Sequence, residues 1–288
     1  MKRLSPFLII LILVLFPGCK NKSNVDILKV MTFNIRYDNP RDSINAWPNR
    51  ASLLCRFLKD EEPDLIGMQE VLAHQYEYID SVLTGYSSIG VGRTDGAKKG
   101  EMNPLFFKKD RFDLIRTKTF WLSDTPEVAG TKAWGANLPR IVTWIELSEK
   151  TTSKHFYFFN THFAHDSDSA RIMSSGLLLN RVDSIAADFP FVVTGDLNML
   201  ISSKGYEILT GPFESVPLFE DTYAVTEKRP VGPAYTFNGF SENTSSGRID
   251  YIFVRNGIEV LEHRTYIKKE HRVYLSDHWP VMATISIK

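Results

Sequence analysis

An acid and an amide lie two positions apart at the end of the short apolar segment Phe191–Asn198 (FVVTGDLN). Its apolar residues, bounded by turn-forming ones, predict a buried strand that stops at Gly195. In an extended chain alternate side chains project from one face, so Asp196 and Asn198 should point the same way. A carboxylate and a carboxamide placed together suit a hard cation and a phosphate oxygen. Taken alone, such a pair is more often an ordinary Asp/Asn turn after a strand.

Polar residues at the ends of predicted strands recur along the chain. Singly, each has an ordinary structural explanation: a buried histidine with satisfied hydrogen bonds, a partner in a buried ion pair, or a turn. Together they indicate an active site, because active sites form where strand ends converge and the fold alone does not require these side chains. The residues are Asn34, Glu70, His162, Asp196 with Asn198, Asp250, and Asp277 with His278.

The types of side chain limit the chemistry. With only two cysteines the chain offers neither a disulfide framework nor a cysteine zinc cluster, and no group of histidines has the spacing of zinc ligands. Oxygen ligands instead favour Mg²⁺ or Mn²⁺, which neutralises the charge that grows on a phosphoryl group under attack. Asn34, His162 and Asn198 are neutral donors that can hold phosphate oxygens. The attacking water must lose a proton, and either Asp196 or His278 could accept it.

The apolar periodicity predicts elements in an order that combines α/β alternation with hairpins. The sheets should therefore be mixed, and two packed sheet layers with helices outside would bury this many apolar strands. Strands are predicted over 27–35, 64–70, 87–92, 105–108, 112–122, 140–147, 154–162, 191–196, 248–254 and 281–287, and helices over 48–59, 73–83, 167–187 and 202–209.

The composition favours one large α/β domain over residues 27–288. Of the 288 residues 43% are hydrophobic, which is ample for a core, and no repeat or Pro/Ser linker divides the chain. The 34 basic and 34 acidic side chains balance, and loss of Lys2 and Arg3 would leave the mature chain slightly acidic. That argues against holding long nucleic acid on a basic face, but not against cleaving a small phosphodiester. Cys55, among apolar residues of a predicted helix, is expected to be buried.

Residues 1–18 have the features of a signal peptide. A basic start is followed by the apolar segment 8–16, which is too short to span a bilayer. The segment resembles a bacterial lipoprotein signal, in which Cys19 is lipidated and becomes the mature N-terminus; an ordinary secretory signal cut nearby is the alternative. Residues 19–26 then form a tether. We expect a monomer in the cell envelope, held to the membrane by the lipid on Cys19, in the periplasm or at the outer surface.

The ordered set of motifs resembles the endonuclease/exonuclease/phosphatase family, in a secreted bacterial lipoprotein-type member. Relatives in that family include abasic-site endonucleases, deoxyribonucleases, deadenylases, sphingomyelinases and inositol-polyphosphate 5-phosphatases. The resemblance implies an α/β (α+β) fold: a four-layered sandwich of two mixed β-sheets face to face, flanked by helices. It rests on TFNIR (32–36), MQE (68–70), NTHF (160–163), GDLN (195–198), RIDYIF (248–253) and SDHWP (276–280), which occur in the family's order.

The resemblance also implies a metal site that holds Mg²⁺ or Mn²⁺. Glu70 matches the principal metal ligand of the family, and Asn34 stands beside it. Asp277 matches a further ligand of the same metal or of a second one. Asp196 and Asn198 would face the scissile phosphate from the opposite side.

Two histidines complete the implied site. His278, oriented by Asp250, matches the family's His–Asp pair, and His162 stands where some relatives carry a tyrosine. We favour Asp196 as the base that activates water and the His278–Asp250 pair as the group that binds phosphate and stabilises charge. The reversed assignment is open at this point.

Three residues between the shared motifs are candidates for substrate binding. Arg93 and Arg140 carry guanidinium groups, whose planar fork matches a phosphate. Trp134, like Trp121, could stack on a base or a sugar ring. The structural alternatives are an ion pair for the arginines and core packing for the tryptophans.

The function expected from these features is a metal-dependent phosphoesterase, foremost a phosphodiesterase or nuclease that acts by metal-assisted in-line attack of water. The substrate would be a nucleic acid, a nucleotide or a phospholipid head group. Within the same class, a phospholipid or a sugar or inositol phosphate is the alternative. From a different class, a surface lipoprotein could use the cleft only to bind a phosphorylated ligand.

Overall fold

The computed structural model describes residues 26–213, 216–242 and 247–288. The predicted signal peptide, Cys19 and nearly all of the predicted tether lie outside the described residues. The last residue of that tether, Asp26, is already the first residue of a strand. Among the described residues, none of the helices combines the length and apolar character needed to cross a bilayer.

The described chain alternates strands with five α-helices and one 3₁₀ helix (Pro40–Asn45). The strands are β1 (Asp26–Asn34), β2 (Leu65–Gln69), β3 (Tyr86–Ile89), β4 (Leu105–Lys108), β5 (Phe112–Trp121), β6 (Ile141–Glu149), β7 (His155–His162), β8 (Phe191–Asp196), β9 (Pro212–Phe213), β10 (Val216–Pro217), β11 (Glu220–Asp221), β12 (Asp250–Arg255), β13 (Ile258–Thr265), β14 (Lys269–Glu270), β15 (Val273–Tyr274) and β16 (Val281–Ile287). The α-helices are α1 (Trp47–Glu61), α2 (Ala73–Val82), α3 (Asp168–Ala186), α4 (Lys204–Thr210) and α5 (Thr222–Val225).

Two six-stranded sheets form the centre of the molecule. The first has the order β13-β16-β1-β2-β4-β3 and the second the order β11-β12-β8-β7-β6-β5. Each contains one parallel pair near its middle, β1 with β2 and β7 with β8, and its other pairs are antiparallel. Both sheets are therefore mixed, as the order of predicted elements required.

Alternation along the strands divides the apolar side chains among three cores. Leu28 and Val30 of β1 pack between the sheets with Phe156 and Phe158 of β7. The next positions on β1 pack outward against α1 and α2, and the outward face of the second sheet packs against α3 and α4 in the same way. The result is helix, sheet, sheet, helix, which confirms the four-layered sandwich.

The inward-facing side chains change from apolar to polar toward one end of the sheets. Gln69 Nε2 donates to Asn160 Oδ1 at 2.6 Å and to Thr32 Oγ1 at 3.1 Å, and Thr194 Oγ1 donates to Asn160 Oδ1 at 3.1 Å. Gly67 belongs to the same layer, since a Cβ there would lie 2.0 Å from Thr194 Oγ1. This buried, hydrogen-bonded layer closes the apolar core just before the strands end.

Every element predicted from the sequence occurs. The strands predicted over 105–108, 191–196 and 281–287 have the observed ends, and the ends of the other elements are shifted by a few residues. Cys55 is free and buried in α1, as expected. The sequence interpretation missed one long strand, β13, together with the 3₁₀ helix, α5 and several two-residue strands.

Candidate active site

Strand register places three of the predicted site residues side by side. His162 pairs with Asp196 across β7 and β8, and Asp196 pairs with Asp250 across β8 and β12. All three continue the inward faces of their strands, directly beyond the polar layer. Asn34, at the end of β1 in the facing sheet, donates from Nδ2 to Asp196 Oδ2 at 2.9 Å. That hydrogen bond links the two sheets at the floor of the site.

His278 enters the site from the loop before β16. Its Nδ1 lies 2.9 Å from Asp250 Oδ2, so the predicted His–Asp pair is formed. Its Nε2 lies 3.7 Å from Asp196 Oδ2, and the ring of Phe237 contacts it edge-on with centroids 5.1 Å apart. Ser276 fixes the loop by donating from Oγ to Asn34 O at 2.7 Å. One loop thus carries the histidine across to the acids of the second sheet.

Glu70 follows β2 in a left-handed backbone conformation, with φ of 60°. A residue with a side chain adopts this conformation only at a cost, and such residues concentrate at functional sites. The turn directs the carboxylate back toward the neighbouring strand, where Oε1 accepts from Asn34 Nδ2 and Oε2 from Tyr37 N, each at 3.2 Å. The two loops after β1 and β2 therefore hold one carboxylate between them.

Asn198 also has a left-handed backbone, with φ of 49°. Its backbone N–H donates to Asp196 Oδ1 at 3.0 Å, and its Nδ2 lies 2.9 Å from His162 Nε2. An amide NH₂ can only donate, so His162 Nε2 is the acceptor and the ring is neutral. Burial, reinforced by the positive charge of Arg140, accordingly lowers the pKa of His162 well below its ordinary value.

The electrostatics of the site follow from buried acids around one histidine. Burial raises the pKa of Asp196 to about 7, and the nearby Asp250 adds to the rise. Burial alone would lower the pKa of His278, but Asp250 and Asp196 outweigh it and hold that pKa well above its ordinary value. Burial also raises the pKa of Asp277, and Glu70 contributes. Three carboxyl groups, those of Asp196, Asp250 and Asp277, thus act on one imidazolium, and the nearby Glu70 adds a fourth acid that further positive charge could compensate.

The side chains present match the donor set of a hard divalent cation. Glu70, His162 and Asp196 each place one ligand atom within 4.8 Å of the other two. The Glu70 oxygens accept from amide N–H groups, and the described residues supply no ion-pair partner for this carboxylate. Asp196, Asp250 and His278 form an equally compact set, but the histidine is already engaged by its acids. The position beside Glu70 and Asp196 is therefore the better place for a divalent cation.

Asn34 and Asp277, which were also predicted as metal ligands, have hydrogen-bond and charge partners different from those of Glu70. Asn34 turns its N–H toward Glu70 and Asp196, and its Oδ1 accepts from Arg36 N at 3.0 Å. In this orientation the amide supports the acids as a donor, and direct ligation would require the amide to rotate. Asp277 lines the same cleft, with Oδ2 3.6 Å from Arg36 Nη1.

The site opens into a cleft of about 490 Å³. Arg140 lines this cleft together with Glu101 and His165. Arg93 donates from both terminal nitrogens to the Glu101 oxygens, each at 2.8 Å, so this predicted substrate contact is an ion pair behind the wall. Trp134 is not among the lining residues.

Trp134 is held on the outside of the second sheet. Its Nε1 donates to Asp124 Oδ1 at 2.9 Å, and its ring packs partly against the core beneath α3. Trp121 is buried and donates from Nε1 to Arg93 O at 2.7 Å. Both tryptophans are therefore structural residues, in agreement with the alternative of core packing, and not stacking platforms for a substrate.

The sequence interpretation missed several residues of the site. Arg36 and Ser276 lie inside the motifs TFNIR and SDHWP, and only the contacts reveal that they hold Asp277 and Asn34. Phe237 lies in a stretch without periodicity, so no sequence signal marked it. Thr236, beside it, accepts the backbone N–H of Asp250 at Oγ1 at 3.1 Å.

A two-sheet sandwich whose inward strand ends bring acids, amides and a His–Asp pair into one cleft defines the class of this protein. The chain belongs to the Endonuclease/Exonuclease/phosphatase family, whose sequence model matches residues 31–278. Members of this family are generally metal-dependent phosphoesterases.

Solved structures share both the fold and a substantial part of the sequence. An endonuclease/exonuclease/phosphatase from Bacteroides vulgatus is 38% identical with a TM-score of 0.87, covering 91% of this chain and 100% of that one. A mannosyl-6-phosphatase from Bacteroides thetaiotaomicron is 31% identical with a TM-score of 0.80, covering 90% and 99%. An uncharacterized protein of Acanthamoeba polyphaga mimivirus is 25% identical over 289 residues, which are 88% of this chain and 98% of that protein.

Proposed function

We propose that this protein hydrolyses a phosphoester by metal-assisted, in-line attack of water on phosphorus. One observation carries the proposal: Asp196 is buried at the cleft floor, with Glu70 on one side and the His278–Asp250 pair on the other. Asn34 and the backbone of Asn198 orient its two oxygens. A carboxylate held in this way can direct a water molecule toward a bound phosphate.

Glu70, with Asp196 and His162 near it, would hold the cation. Bound there, Mg²⁺ or Mn²⁺ would neutralise charge on the phosphoryl oxygens and orient the ester. The protein's neutral donors then complete the binding of these oxygens. Asn198 and His162 lie beside this position. The Asn198 Nδ2 donates to His162 Nε2 and to Phe163 O, so the amide would have to turn to bind a phosphoryl oxygen, which it would do without repelling the phosphate.

Between the two candidate bases, the contacts favour Asp196. His278 lies between two carboxylates, with nitrogen–oxygen distances of 2.9 and 3.7 Å, a setting that stabilises its protonated form. An imidazolium cannot accept a proton from water, but it can stabilise the negative charge of the transition state. We therefore assign water activation to Asp196 and charge stabilisation to His278, with Asp250 as its orienting partner.

For the substrate, the expectation of a phosphodiester or nucleic acid remains a prediction, and one observation favours a second candidate. The relative of 31% identity that covers nearly this whole chain is described as a mannosyl-6-phosphatase. The balanced charge of the chain also argues against a surface built for long nucleic acid. A small sugar phosphate is therefore the alternative that we weigh most heavily.

A substrate panel tests the proposal. The purified full chain in detergent would be assayed with bis-p-nitrophenyl phosphate, p-nitrophenyl phosphate, sugar and inositol phosphates, single-stranded RNA and DNA, and sphingomyelin, each with Mg²⁺, Mn²⁺ or chelator. We expect turnover that requires the metal and disappears in Glu70→Gln. Activity that survives both the chelator and Glu70→Gln would contradict the metal site. A folded protein without turnover on any ester would instead favour the binding-only lipoprotein.

The proposed setting is the cell envelope, with a lipid on Cys19 as the membrane anchor and the protein as a monomer. The basic start and short apolar segment at the N-terminus support this proposal. The route of β1 is compatible with it. The strand begins at Asp26 and ends at Asn34 in the site, so an anchor before residue 26 would join the domain at the end away from the cleft.

A further inference from the structure

Arg140 has donors that the protein leaves unused. The side chain lines the cleft just before β6 and is only 5% exposed. Its Nη2 lies 3.1 Å from His165 Nδ1, whereas Nε and Nη1 find no acceptor among the described residues. Its backbone is fixed, because Leu122 N donates to Arg140 O at 2.8 Å. Buried donors without an acceptor are rare, and at the wall of a cleft they point to an acceptor that arrives with the ligand.

Arg140 also has no direct ion-pair partner among the described residues, and Glu101, Asp196 and Glu70 act on its charge only from a distance. The nearest wall carboxylate, Glu101, already gives both oxygens to Arg93. No described carboxylate forms an ion pair with Arg140 itself. Burial, with the neighbouring Arg93, lowers the pKa of Arg140. A buried guanidinium without a carboxylate in contact is costly to the fold, and an anion bound in the cleft would offset part of that cost.

The position of Arg140 places this charge beside the phosphoryl-binding groups. Arg140 and His162 line the same cleft, and the charge of the arginine is felt at the histidine and at Asp196. The cleft is therefore divided into an acidic side, with Glu70, Asp196 and Asp277, and a cationic side formed by Arg140. A phosphoryl group between the two sides would meet a metal on one and a guanidinium on the other.

The role of the Arg140 guanidinium as a second cation depends on how many negative charges the phosphoryl group carries. A phosphodiester carries one negative charge and two non-bridging oxygens, which a bound metal and the imidazolium of His278 would serve. A phosphomonoester carries a third non-bridging oxygen and a charge of about −1.5 to −2 near neutral pH. A guanidinium fork held in place matches that extra oxygen and charge.

We infer that Arg140, oriented by His165, binds the terminal oxygens of a phosphomonoester, so that the site selects monoesters of small molecules over phosphodiesters. The inference rests on the proposed phosphoesterase function and narrows its substrate class. In this inference Arg93 and Glu101 form an ion pair that supports the wall of the cleft. The direct contact with substrate belongs to Arg140.

A comparison of two esters with one leaving group tests the inference. The full chain in detergent with Mg²⁺ would be assayed for kcat/KM on p-nitrophenyl phosphate and on bis-p-nitrophenyl phosphate. We expect the wild type to prefer the monoester. Arg140→Gln should lower kcat/KM for the monoester by roughly 10- to 100-fold, the worth of a hydrogen-bonded charge, and change the diester by less than about threefold. Arg272→Gln, an exposed arginine, is the matched control and should change neither.

Binding of the product gives a readout that does not need turnover. Inorganic phosphate should inhibit the wild type competitively, and Arg140→Gln should raise its inhibition constant by the same factor as it lowers monoester hydrolysis. Arg140→Lys keeps the charge without the fork and should fall between the two. Thermal unfolding of each variant checks that it is folded. If Arg140→Gln does not fold, the test is made with Arg140→Lys.

The outcomes separate the two proposals. A wild type that prefers the diester, or a variant that loses both activities by one factor, would overturn the role of Arg140 and leave the phosphoesterase function standing. A wild type that hydrolyses no ester in the full panel would contradict the phosphoesterase function itself.

Discussion

At the scale of single residues, Asp196 bears most of the proposed chemistry. Its oxygens are held by Asn34 and by the backbone of Asn198 at 2.9 and 3.0 Å, and it is 1% exposed. We expect Asp196→Asn to lower kcat by roughly 10²- to 10⁴-fold, because a carboxamide cannot accept the proton of the attacking water. Steady-state kinetics with Mg²⁺ on the best substrate of the panel measures this loss.

The shape of the asparagine makes this a test of chemistry. Asparagine has nearly the same volume as aspartate, and Asp250 remains as the partner of His278 at 2.9 Å, so thermal unfolding of the variant can confirm that it is folded. Asp188→Asn, at an exposed position after α3, is the control and should keep full activity. A kcat for Asp196→Asn within threefold of the wild type would mean that another residue acts as the base.

Single residues of the site were largely predictable from the sequence, because strand ends converge and each end carries a distinctive polar residue. Asp196, Asp250 and His278 were identified in this way, and the structure brings them together. What could not be predicted is orientation. The amide of Asn34 directs its N–H groups at Glu70 and Asp196, which depends on a strand end far away in sequence. Arg93 donates to Glu101, eight residues away, and the spacing alone did not reveal this ion pair.

At the scale of elements, Arg50 of α1 joins the two loops that form one side of the site. The side chain is fully buried, and its nitrogens donate only to backbone carbonyls. Those of Ile35, Arg36 and Tyr37 belong to the loop after β1, and that of Leu275, at 3.1 Å, directly precedes Ser276. One guanidinium therefore sets the distance between the loop that holds Glu70 and the loop that carries His278.

Replacing this guanidinium tests its role in positioning. Arg50→Lys offers one ammonium in place of a five-donor fork and leaves buried carbonyls without a donor. We expect a loss of about 3 kcal/mol in the free energy of unfolding, together with a kcat at least about tenfold lower where the variant is folded. Urea unfolding and steady-state kinetics measure the two effects.

The same helix supplies the control. Arg56→Lys alters an exposed arginine of α1 whose partner is Glu270, and should change stability by well under 1 kcal/mol. If Arg50→Lys lost stability but kept full kcat at a temperature where it is folded, Arg50 would be a structural residue only.

A second buried group predicts how stability depends on pH. His263 of β13 is 1% exposed, and burial lowers its pKa from 6.5 to about 4. Because the unfolded chain binds this proton below pH 6.5 and the folded chain only near pH 4, the contribution of His263 to stability is complete above pH 6.5. It is lost progressively as the pH falls from 6.5 to 4, by about 3 kcal/mol in total.

The decrease in the free energy of unfolding at acidic pH should therefore depend on His263. His263→Gln keeps a group that can bond to Thr222 Oγ1, which lies 2.9 Å from His263 Nδ1, but does not titrate. We expect the free energy of unfolding of the variant to fall less than that of the wild type between pH 7 and 5. If the free energy of unfolding from urea titrations fell equally for both proteins between these two pH values, the pKa of His263 would not be lowered in the folded protein.

β13 shows why some elements escaped prediction. Its residues 258–265 begin with the alternation of a half-buried strand, but the register against β16 shifts between Val260 and Glu262. A bulge inserts a residue and exchanges the inward and outward faces, so the period of two is lost midway. The other central strands, such as β7 and β8, keep their period and were recognised.

At the scale of the whole molecule, the fold was predictable because the order of elements and the apolar strands leave few ways to bury both sheets. The four layers follow from that order. The shape of the cleft did not follow, since it is set by loops such as the one from Arg93 to Glu101. In that loop the Asp95 carboxylate accepts two backbone N–H groups, from Ala97 and Lys99. The loop also depends on a more distant residue, since Trp121 Nε1 donates to Arg93 O at 2.7 Å, and the apolar pattern of the sequence reveals neither kind of contact.

The direction of β1 joins the proposed anchor to the proposed activity. β1 runs nine residues from Asp26 to the site at Asn34, so about 25 to 30 Å of strand separate the tether from the cleft floor. A lipid on Cys19 would then hold the opposite end of the domain to the membrane and leave the cleft open to soluble esters.

We expect the full chain, expressed in a bacterium, to sediment with membranes, and Cys19→Ser to become soluble. Both should show the same kcat/KM on p-nitrophenyl phosphate, because the site does not use the anchor. Membrane sedimentation of Cys19→Ser equal to that of the wild type would contradict the lipid anchor, and a lower kcat/KM for the soluble form would mean that the cleft faces the bilayer.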